Sequence, residues 1–231
     1  LDVFEPGSTF KVFTLAAAFN SGKLPPSEKI FCENGRMQMF DMVIHDDHRD
    51  GWLNPTECLK RSSNICFAKI ASLLSKERFY YYIRRFGFGE RTHVALPSES
   101  AGMLTHFKKW YDVDAATIAF GQGIGVTGMQ MATALGAIAN GGNLMQPQLV
   151  KSVRDADGEW RRFRPIVNTI ADSEIANYLF YRLLKPVHTV YGDIGIYQRD
   201  LRTYAETPVV ENRSFGGACV NCHTFAPDHP D

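Results

Sequence analysis

The sequence lacks several features that would assign a protein quickly to a class. No apolar run approaches the roughly 18 residues that a membrane-spanning helix needs. The 25 Lys and Arg balance the 25 Asp and Glu, so the chain as a whole shows no charge typical of nucleic-acid binding. Internal repeats and low-complexity segments are also missing. The 231 residues, 45% hydrophobic and 22% charged, have the composition of a globular protein, which excludes disordered and collagen-like chains.

The cysteines are too few and too unevenly spaced to predict a disulfide framework, and their number, five, is odd. Cys32, Cys58 and Cys66 are scattered, and we interpret them as small core or surface residues. Cys219 and Cys222 form a pair near the end. The chain starts without a methionine or a signal peptide, and we expect both ends to be cut.

Helix signals alternate with turn signals over most of the chain. Asn54 followed by Pro55 is typical of a helix start, and Thr127 caps a long apolar run that Gly141 and Gly142 end. A four-residue Asp-Ala-Asp-Gly segment at 155–158 predicts a hairpin. The predicted helices cover 8–20, a short helix after Asn54, a second helix after a tight turn at 62–64, then 76–86 and the run after Thr127.

A change in composition predicts a domain boundary near residue 165. Basic residues outnumber acidic ones by 20 to 17 before this point, and acidic residues outnumber basic ones by 8 to 5 after it. We therefore predict one domain over 1–165 and an unrelated segment over 166–231.

Ser8 and Lys11 are three residues apart at the start of the first predicted helix, so their side chains share one face, about 5 to 6 Å apart at Cβ. A serine hydroxyl becomes a nucleophile when a neighbouring base takes its proton, and a desolvated lysine can act as that base. Ser-x-x-Lys alone occurs by chance in many proteins, where the serine caps a helix and the lysine reaches solvent.

The surrounding sequence resembles the class B penicillin-binding protein transpeptidases over roughly residues 1–160. The run EPGSTFKVFTLAAAF from Glu5 to Phe19 is similar to their first active-site motif, and Ser62-Ser63-Asn64 is similar to the second, Ser-x-Asn. Further matches follow in the family's order and spacing, over 44–53, 86–90, 96–99 and 119–142.

The resemblance implies a serine D,D-transpeptidase that cross-links peptidoglycan stem peptides through an acyl-enzyme. Ser8 would be the acylated nucleophile and Lys11 its general base. Ser62 would relay a proton to the leaving group, and Asn64 would hold the side-chain amide of the peptide or of a β-lactam.

The same resemblance implies the other binding residues and the cellular setting. Ser63, Gly121, Gln122 and Gly123 are predicted to bind substrate, and the glycine loop is expected to let backbone pack beneath the site. Its pattern differs from a dinucleotide fingerprint, which needs glycine where Val126 stands. Transpeptidation needs no metal or cofactor. The implied partners are stem peptides, β-lactams and membrane proteins of cell-wall synthesis, and nucleic acid is not among them. The implied location is the periplasm or cell envelope, with the full-length protein anchored in the inner membrane.

The implied fold is α+β, of the penicillin-binding protein and serine β-lactamase type, in which helices pack on an antiparallel sheet. We expect the helical part to be largely present and the sheet incomplete. The family's third motif, Lys-[Ser/Thr]-Gly, is missing from the sequence; Lys151-Ser152-Val153 and Lys185-Pro186-Val187 are the nearest approaches. We therefore predict that this polypeptide is acylated by β-lactams poorly or not at all.

Two short motifs allow other interpretations. Cys219-Val220-Asn221-Cys222-His223 has the Cys-x-x-Cys-His pattern of c-type haem attachment, and also fits a disulfide-exchange pair, half a zinc site or chance. It supports the alternative function, a haem-binding or electron-transfer envelope protein with an inactive transpeptidase-like scaffold.

The run 45–48, His-Asp-Asp-His, fits a metal site, although we favour a structural turn near the active site.

Overall fold

The computed structural model describes residues 2–164, 166–170, 175–176, 179, 195–199 and 206–211. The chain divides into two compact units, 1–183 and 184–231. The helices are α1 (Lys11–Asn20), α2 (Pro55–Lys60), α3 (Asn64–Ser72), α4 (Lys76–Arg85), α5 (Asp114–Ala119) and α6 (Gly128–Ala139). In the part that is described, no helix is both long and apolar enough to cross a membrane.

The strands of the first unit are short, and within the described residues each pairs with one antiparallel neighbour. β1 (Val3–Phe4) pairs with β6 (Val126–Thr127), β2 (Ile30–Phe31) with β5 (Trp52–Leu53), β3 (Arg36–Met39) with β4 (Met42–His45), β7 (Asn143–Met145) with β10 (Val167–Thr169), and β8 (Ser152–Arg154) with β9 (Trp160–Arg162). The last pair confirms the predicted hairpin. The β7–β10 pair joins residues on both sides of residue 165, and a domain boundary at that residue stays a prediction.

Helix α1 is the centre of the first unit. It contacts α3 and α4, and all of its residues from Lys11 to Phe19 are buried. Four phenylalanines pack at its start, with neighbouring ring centroids 5.1 to 5.5 Å apart. They are Phe10, Phe13, Phe86 and Phe88. Because α1 is buried on all sides, any polar group that it carries needs a partner inside the protein.

The chain from α2 to α3 forms the predicted short helix, tight turn and second helix. Asn54 and Glu57 form a reciprocal capping box at the start of α2, with both hydrogen bonds at 2.9 Å. The turn places Ser62 in the left-handed region at φ +56°. The hydroxyl of Ser63 then accepts a hydrogen bond from the amide of Cys66 and caps α3.

A disulfide joins Cys32, which follows β2, to Cys66 in the first turn of α3. Cys58 in α2 is a free thiol, and all three side chains are buried. The sequence left core and surface positions open for these three cysteines; the structure places them in the core and shows a pairing that the sequence analysis missed. A covalent bond therefore ties the start of α3 to the β2 segment.

The second unit contributes β11 (Gly195–Arg199) and β12 (Glu206–Glu211), an antiparallel pair whose register shifts between Ile196 and Tyr197. The predicted haem-attachment residues Cys219, Cys222 and His223 lie outside the described residues, so their role stays a prediction.

Replacing Thr127 tests the cap of α6. Its buried hydroxyl accepts a hydrogen bond from the amide of Gln130, so Thr127→Ala is expected to lower the free energy of unfolding by about 1 kcal/mol. Thr133→Ala is the matched control, since that hydroxyl bonds to carbonyls of the same helix and its loss is expected to be nearly neutral. Urea denaturation of both variants checks this, and equal losses would contradict the capping role.

Candidate active site

Three of the predicted site residues surround the amine of a fourth, Lys11. Ser8 lies in the 3-10 turn (Gly7–Phe10) that leads into α1, and its Oγ is 3.1 Å from Lys11 Nζ. The α2–α3 turn supplies the other contacts to Nζ: Ser62 O at 2.5 Å, Ser62 Oγ at 2.9 Å and Asn64 Oδ1 at 2.8 Å. Residues more than 50 positions apart in the sequence are therefore brought together on one amine.

Burial sets the protonation of Lys11. The residue has no exposed surface, and this desolvation lowers the pKa of its amine from 10.5 to about 8, although the nearby carboxylates of Asp46 and Asp47 act in the opposite direction. An ammonium has three N–H donors for the four oxygen atoms around it. A neutral amine keeps two donors and gains a lone pair that can accept the proton of Ser8. The site can therefore hold a base next to the serine close to neutral pH.

Asp46 anchors the turn that carries Ser62 and Asn64. Its carboxylate accepts hydrogen bonds from the amide of Asn64 at 2.5 Å, from the amide of Ile65 at 3.1 Å and from the hydroxyl of Ser63. A carboxylate at this position also complements the positive end of α3. The sequence analysis did not identify this anchor, although it did place the 45–48 turn near the active site, and the structure confirms that placement.

Ser63 is the buried member of the Ser-x-Asn turn. The residue is only 1% exposed. Its hydroxyl donates to Asp46 and accepts from the amide of Cys66, so it helps to hold the start of α3. A substrate contact for Ser63 stays a prediction.

The glycine loop lies directly against the residue that precedes Ser8. The amide of Gly7 donates to the carbonyl of Gly121 at 3.0 Å, and a Cβ on Gly121 would lie 2.0 Å from the carbonyl oxygen of Gly7. Gly121 also has φ +83°, so glycine is required there on both counts. This confirms that the loop permits close backbone packing. A substrate contact for Gly121, Gln122 or Gly123 stays a prediction.

Metal-ligating side chains do not converge on this site among the residues that the structure describes. The one group with suitable geometry is formed by Cys32, Cys58 and Cys66, whose sulfur atoms lie within 4.8 Å of one another. His45 and His48 are both exposed, and the main chain of His45 accepts a hydrogen bond from the amide Nδ2 of Asn64 at 3.0 Å.

Comparison with known proteins shows the family of this chain. A family model described as the penicillin binding protein transpeptidase domain matches residues 1–188. The chain belongs to this family. It is 35% identical over 157 residues to penicillin-binding protein PbpB of Mycolicibacterium smegmatis, covering 67% of this chain and 24% of that protein. It is 37% identical over 150 residues to stage V sporulation protein D of Bacillus subtilis, covering 64% and 23%.

Solved structures of penicillin-binding proteins share the fold. The transpeptidase domain of penicillin-binding protein 3 from Burkholderia pseudomallei aligns with a TM-score of 0.71 at 28% identity, covering 88% of this chain and 64% of that one. Penicillin-binding protein 3 from Mycobacterium tuberculosis, in complex with ampicillin, aligns with a TM-score of 0.73 at 26% identity, covering 91% and 51%. The expected α+β fold of the penicillin-binding protein and β-lactamase type is therefore confirmed.

The chain spans about a quarter of the length of the curated relatives described above. The family match itself extends to residue 188, beyond the composition change at residue 165.

Removing the Asp46 carboxylate tests the anchor of the turn. Asp46→Ala leaves the amides of Asn64 and Ile65 without their charged acceptor, so we expect the free energy of unfolding to fall by about 2 kcal/mol. Asp47→Ala is the control, because that side chain is exposed and its loss is expected to change stability by less than about 0.5 kcal/mol. Chemical denaturation measures both, and a similar loss in the two variants would show that Asp46 is no anchor.

Proposed function

We propose that this chain carries the acylation centre of a class B peptidoglycan D,D-transpeptidase. The observation that carries the proposal is the position of Lys11 Nζ, which lies within hydrogen-bonding distance of Ser8 Oγ on one side and of Ser62 Oγ and Asn64 Oδ1 on the other. A buried amine with a lowered pKa next to a serine hydroxyl is the arrangement that makes the serine a nucleophile.

In the proposed mechanism, the neutral amine of Lys11 takes the proton of Ser8 while Ser8 Oγ attacks the carbonyl carbon of the D-Ala-D-Ala peptide bond. The carbon–nitrogen bond of the tetrahedral intermediate then breaks. The proton passes from Lys11 through the hydroxyl of Ser62 to the departing nitrogen, and D-Ala leaves. An amine of a neighbouring strand attacks the ester, and its proton returns through the same groups, which restores the Ser8 hydroxyl.

Asn64 is proposed to orient the donor peptide. Its amide is fixed at both ends, because Oδ1 accepts from Lys11 and Nδ2 donates to the carbonyl of His45. A side chain held in this way loses little further entropy when a substrate amide binds beside it.

The proposed ligands and location follow from the relatives. Penicillin-binding protein 3 from Mycobacterium tuberculosis has been solved with aztreonam and with ampicillin, and a relative in Pseudomonas aeruginosa is named a probable peptidoglycan D,D-transpeptidase. We propose that this chain binds stem peptides and β-lactams at the cell envelope, outside the inner membrane that anchors the whole protein. Membrane proteins of cell-wall synthesis are its proposed partners.

Covalent labelling by a fluorescent penicillin tests the function. In the protein isolated from its native host, we expect label on the tryptic peptide that contains Ser8 and ends at Lys11. Ser8→Ala is expected to reduce labelling by at least about 100-fold, because removal of a catalytic nucleophile abolishes covalent chemistry. Ser27→Ala, which removes an exposed serine far from the site in sequence, is the matched control and is expected to label normally.

Two results would contradict these proposals. An unlabelled native protein, or label that persists in Ser8→Ala, would exclude Ser8 as the nucleophile. Rapid stoichiometric labelling of the isolated 231-residue chain would instead show that the missing Lys-[Ser/Thr]-Gly motif is not needed for acylation.

The pH dependence of labelling tests the role of Lys11. The pKa of its amine is lowered to about 8, so the amine is mostly protonated below that pH and mostly neutral above it. The labelling rate is expected to rise about tenfold for each pH unit below 8 and to level off above it. A labelling rate that stays constant between pH 6 and pH 9 would contradict a general-base role for Lys11.

A further inference from the structure

Three buried sulfur atoms lie together beneath the Ser-x-Asn turn, outside the acylation centre. Those of Cys32, Cys58 and Cys66 all fall within 4.8 Å of one another, and none of the three residues has any exposed surface. Two of them form the disulfide between Cys32 and Cys66, and Cys58 is the free thiol among the described cysteines. A free thiol this close to a disulfide is the starting arrangement for thiol–disulfide exchange.

We propose that the three cysteines form one exchangeable thiol–disulfide site, in which the bond between Cys32 and Cys66 passes to a pair that includes Cys58. The Cys58 thiol loses its proton to solvent base, and its sulfur attacks Cys66 Sγ. The new Cys58–Cys66 bond forms as the Cys32–Cys66 bond breaks, and Cys32 leaves as a thiolate that takes up a proton. Attack on Cys32 Sγ releases Cys66 in the same way. One disulfide and one thiol are present before and after, so neither an oxidant nor a reductant is required.

The electrostatic surroundings favour a disulfide and a neutral thiol over a metal centre. Burial raises the pKa of the Cys58 thiol to about 12, and the carboxylates of Glu57, Asp46 and Asp50 act in the same direction. Three thiolates around a divalent ion would leave a net negative charge in this buried, already acidic environment. Slow exchange at neutral pH and faster exchange at alkaline pH are the expected behaviour, because the thiolate is the attacking species.

The position of the site gives the exchange a structural consequence. Cys58 and Cys66 lie four residues before and four residues after Ser62, and both are bonded to the main chain or hydroxyl of Ser63. The carbonyl of Cys58 accepts from the Ser63 amide at 3.1 Å, and the amide of Cys66 donates to the Ser63 hydroxyl at 3.0 Å. The Cys32–Cys66 bond ties the start of α3 to the β2 segment, whereas a Cys58–Cys66 bond would close the Ser-x-Asn turn on itself.

Peptide mapping can follow the exchange, because trypsin places each of the three cysteines in a different peptide: residues 30–36 for Cys32, 50–60 for Cys58 and 62–69 for Cys66. The full chain is purified without reductant and held at neutral or alkaline pH, within the range where its circular dichroism is unchanged. It is then denatured in acid with N-ethylmaleimide, digested and analysed by mass spectrometry. At neutral pH we expect peptides 30–36 and 62–69 joined and peptide 50–60 alkylated.

After alkaline incubation, we expect peptide 50–60 to become joined to one of the other two, at a rate that rises about tenfold per pH unit. Cys58→Ser is expected to keep the 30–36 to 62–69 link unchanged at every pH. Cys32→Ser provides a second test, since Cys58 and Cys66 are then expected to pair on mild oxidation. A Cys219→Ser and Cys222→Ser double variant is the matched control, because those sulfurs lie together in peptide 214–231 and should not be needed.

Three results would overturn the proposal. The first is a Cys58 that remains alkylated at every pH in the wild type and unpaired in Cys32→Ser. The second is exchange that disappears in the Cys219→Ser and Cys222→Ser variant. The third is a set of three free thiols with a metal ion detected in the native mass spectrum.

Discussion

The burial of one amine is the constraint on which the rest of this structure depends. A lysine ammonium without partners inside a protein is strongly unfavourable, so Lys11 requires oxygen atoms around it. The 3-10 turn before its own helix supplies Ser8, and the segment that leads into α3 supplies Ser62 and Asn64. The packing of α1 against α3 therefore also assembles the proposed acylation centre, and the same burial that demands these partners lowers the pKa of the amine to about 8.

The Ser-x-Asn turn is held from several directions, which suits a group that must keep its position while a bond is made and broken. Asp46 binds the first amides of α3, the Cys32–Cys66 bond ties the same helix turn to the β2 segment, and Lys11 contacts the turn from α1. On the other side of Ser8, Gly121 allows the loop before β6 to approach the main chain of Gly7. The side chains proposed to react are few, and these contacts fix the segments that carry them.

Local signals in the sequence predicted the elements well, whereas contacts between distant segments were mostly missed. Asn54 and Thr127 form the caps that their sequence context predicts, because capping depends on residues three positions away. The Asp46 anchor and the Cys32–Cys66 bond join segments 17 or more residues apart. No periodicity encodes such pairs, and only the folded chain reveals them. The convergence of Ser8, Lys11, Ser62 and Asn64 was predictable because the motifs resemble a known family.

The protonation of Lys11 links the fold to the chemistry, and it can be measured directly. Nuclear magnetic resonance titration of the side-chain signals of Lys11, assigned by their loss in Lys11→Arg, reports the pKa of the buried amine in the folded chain. The account predicts a midpoint near pH 8, lowered by burial. A midpoint near the ordinary lysine value of 10.5 would show that the amine is solvated, and would contradict the proposal that it acts as the base for Ser8.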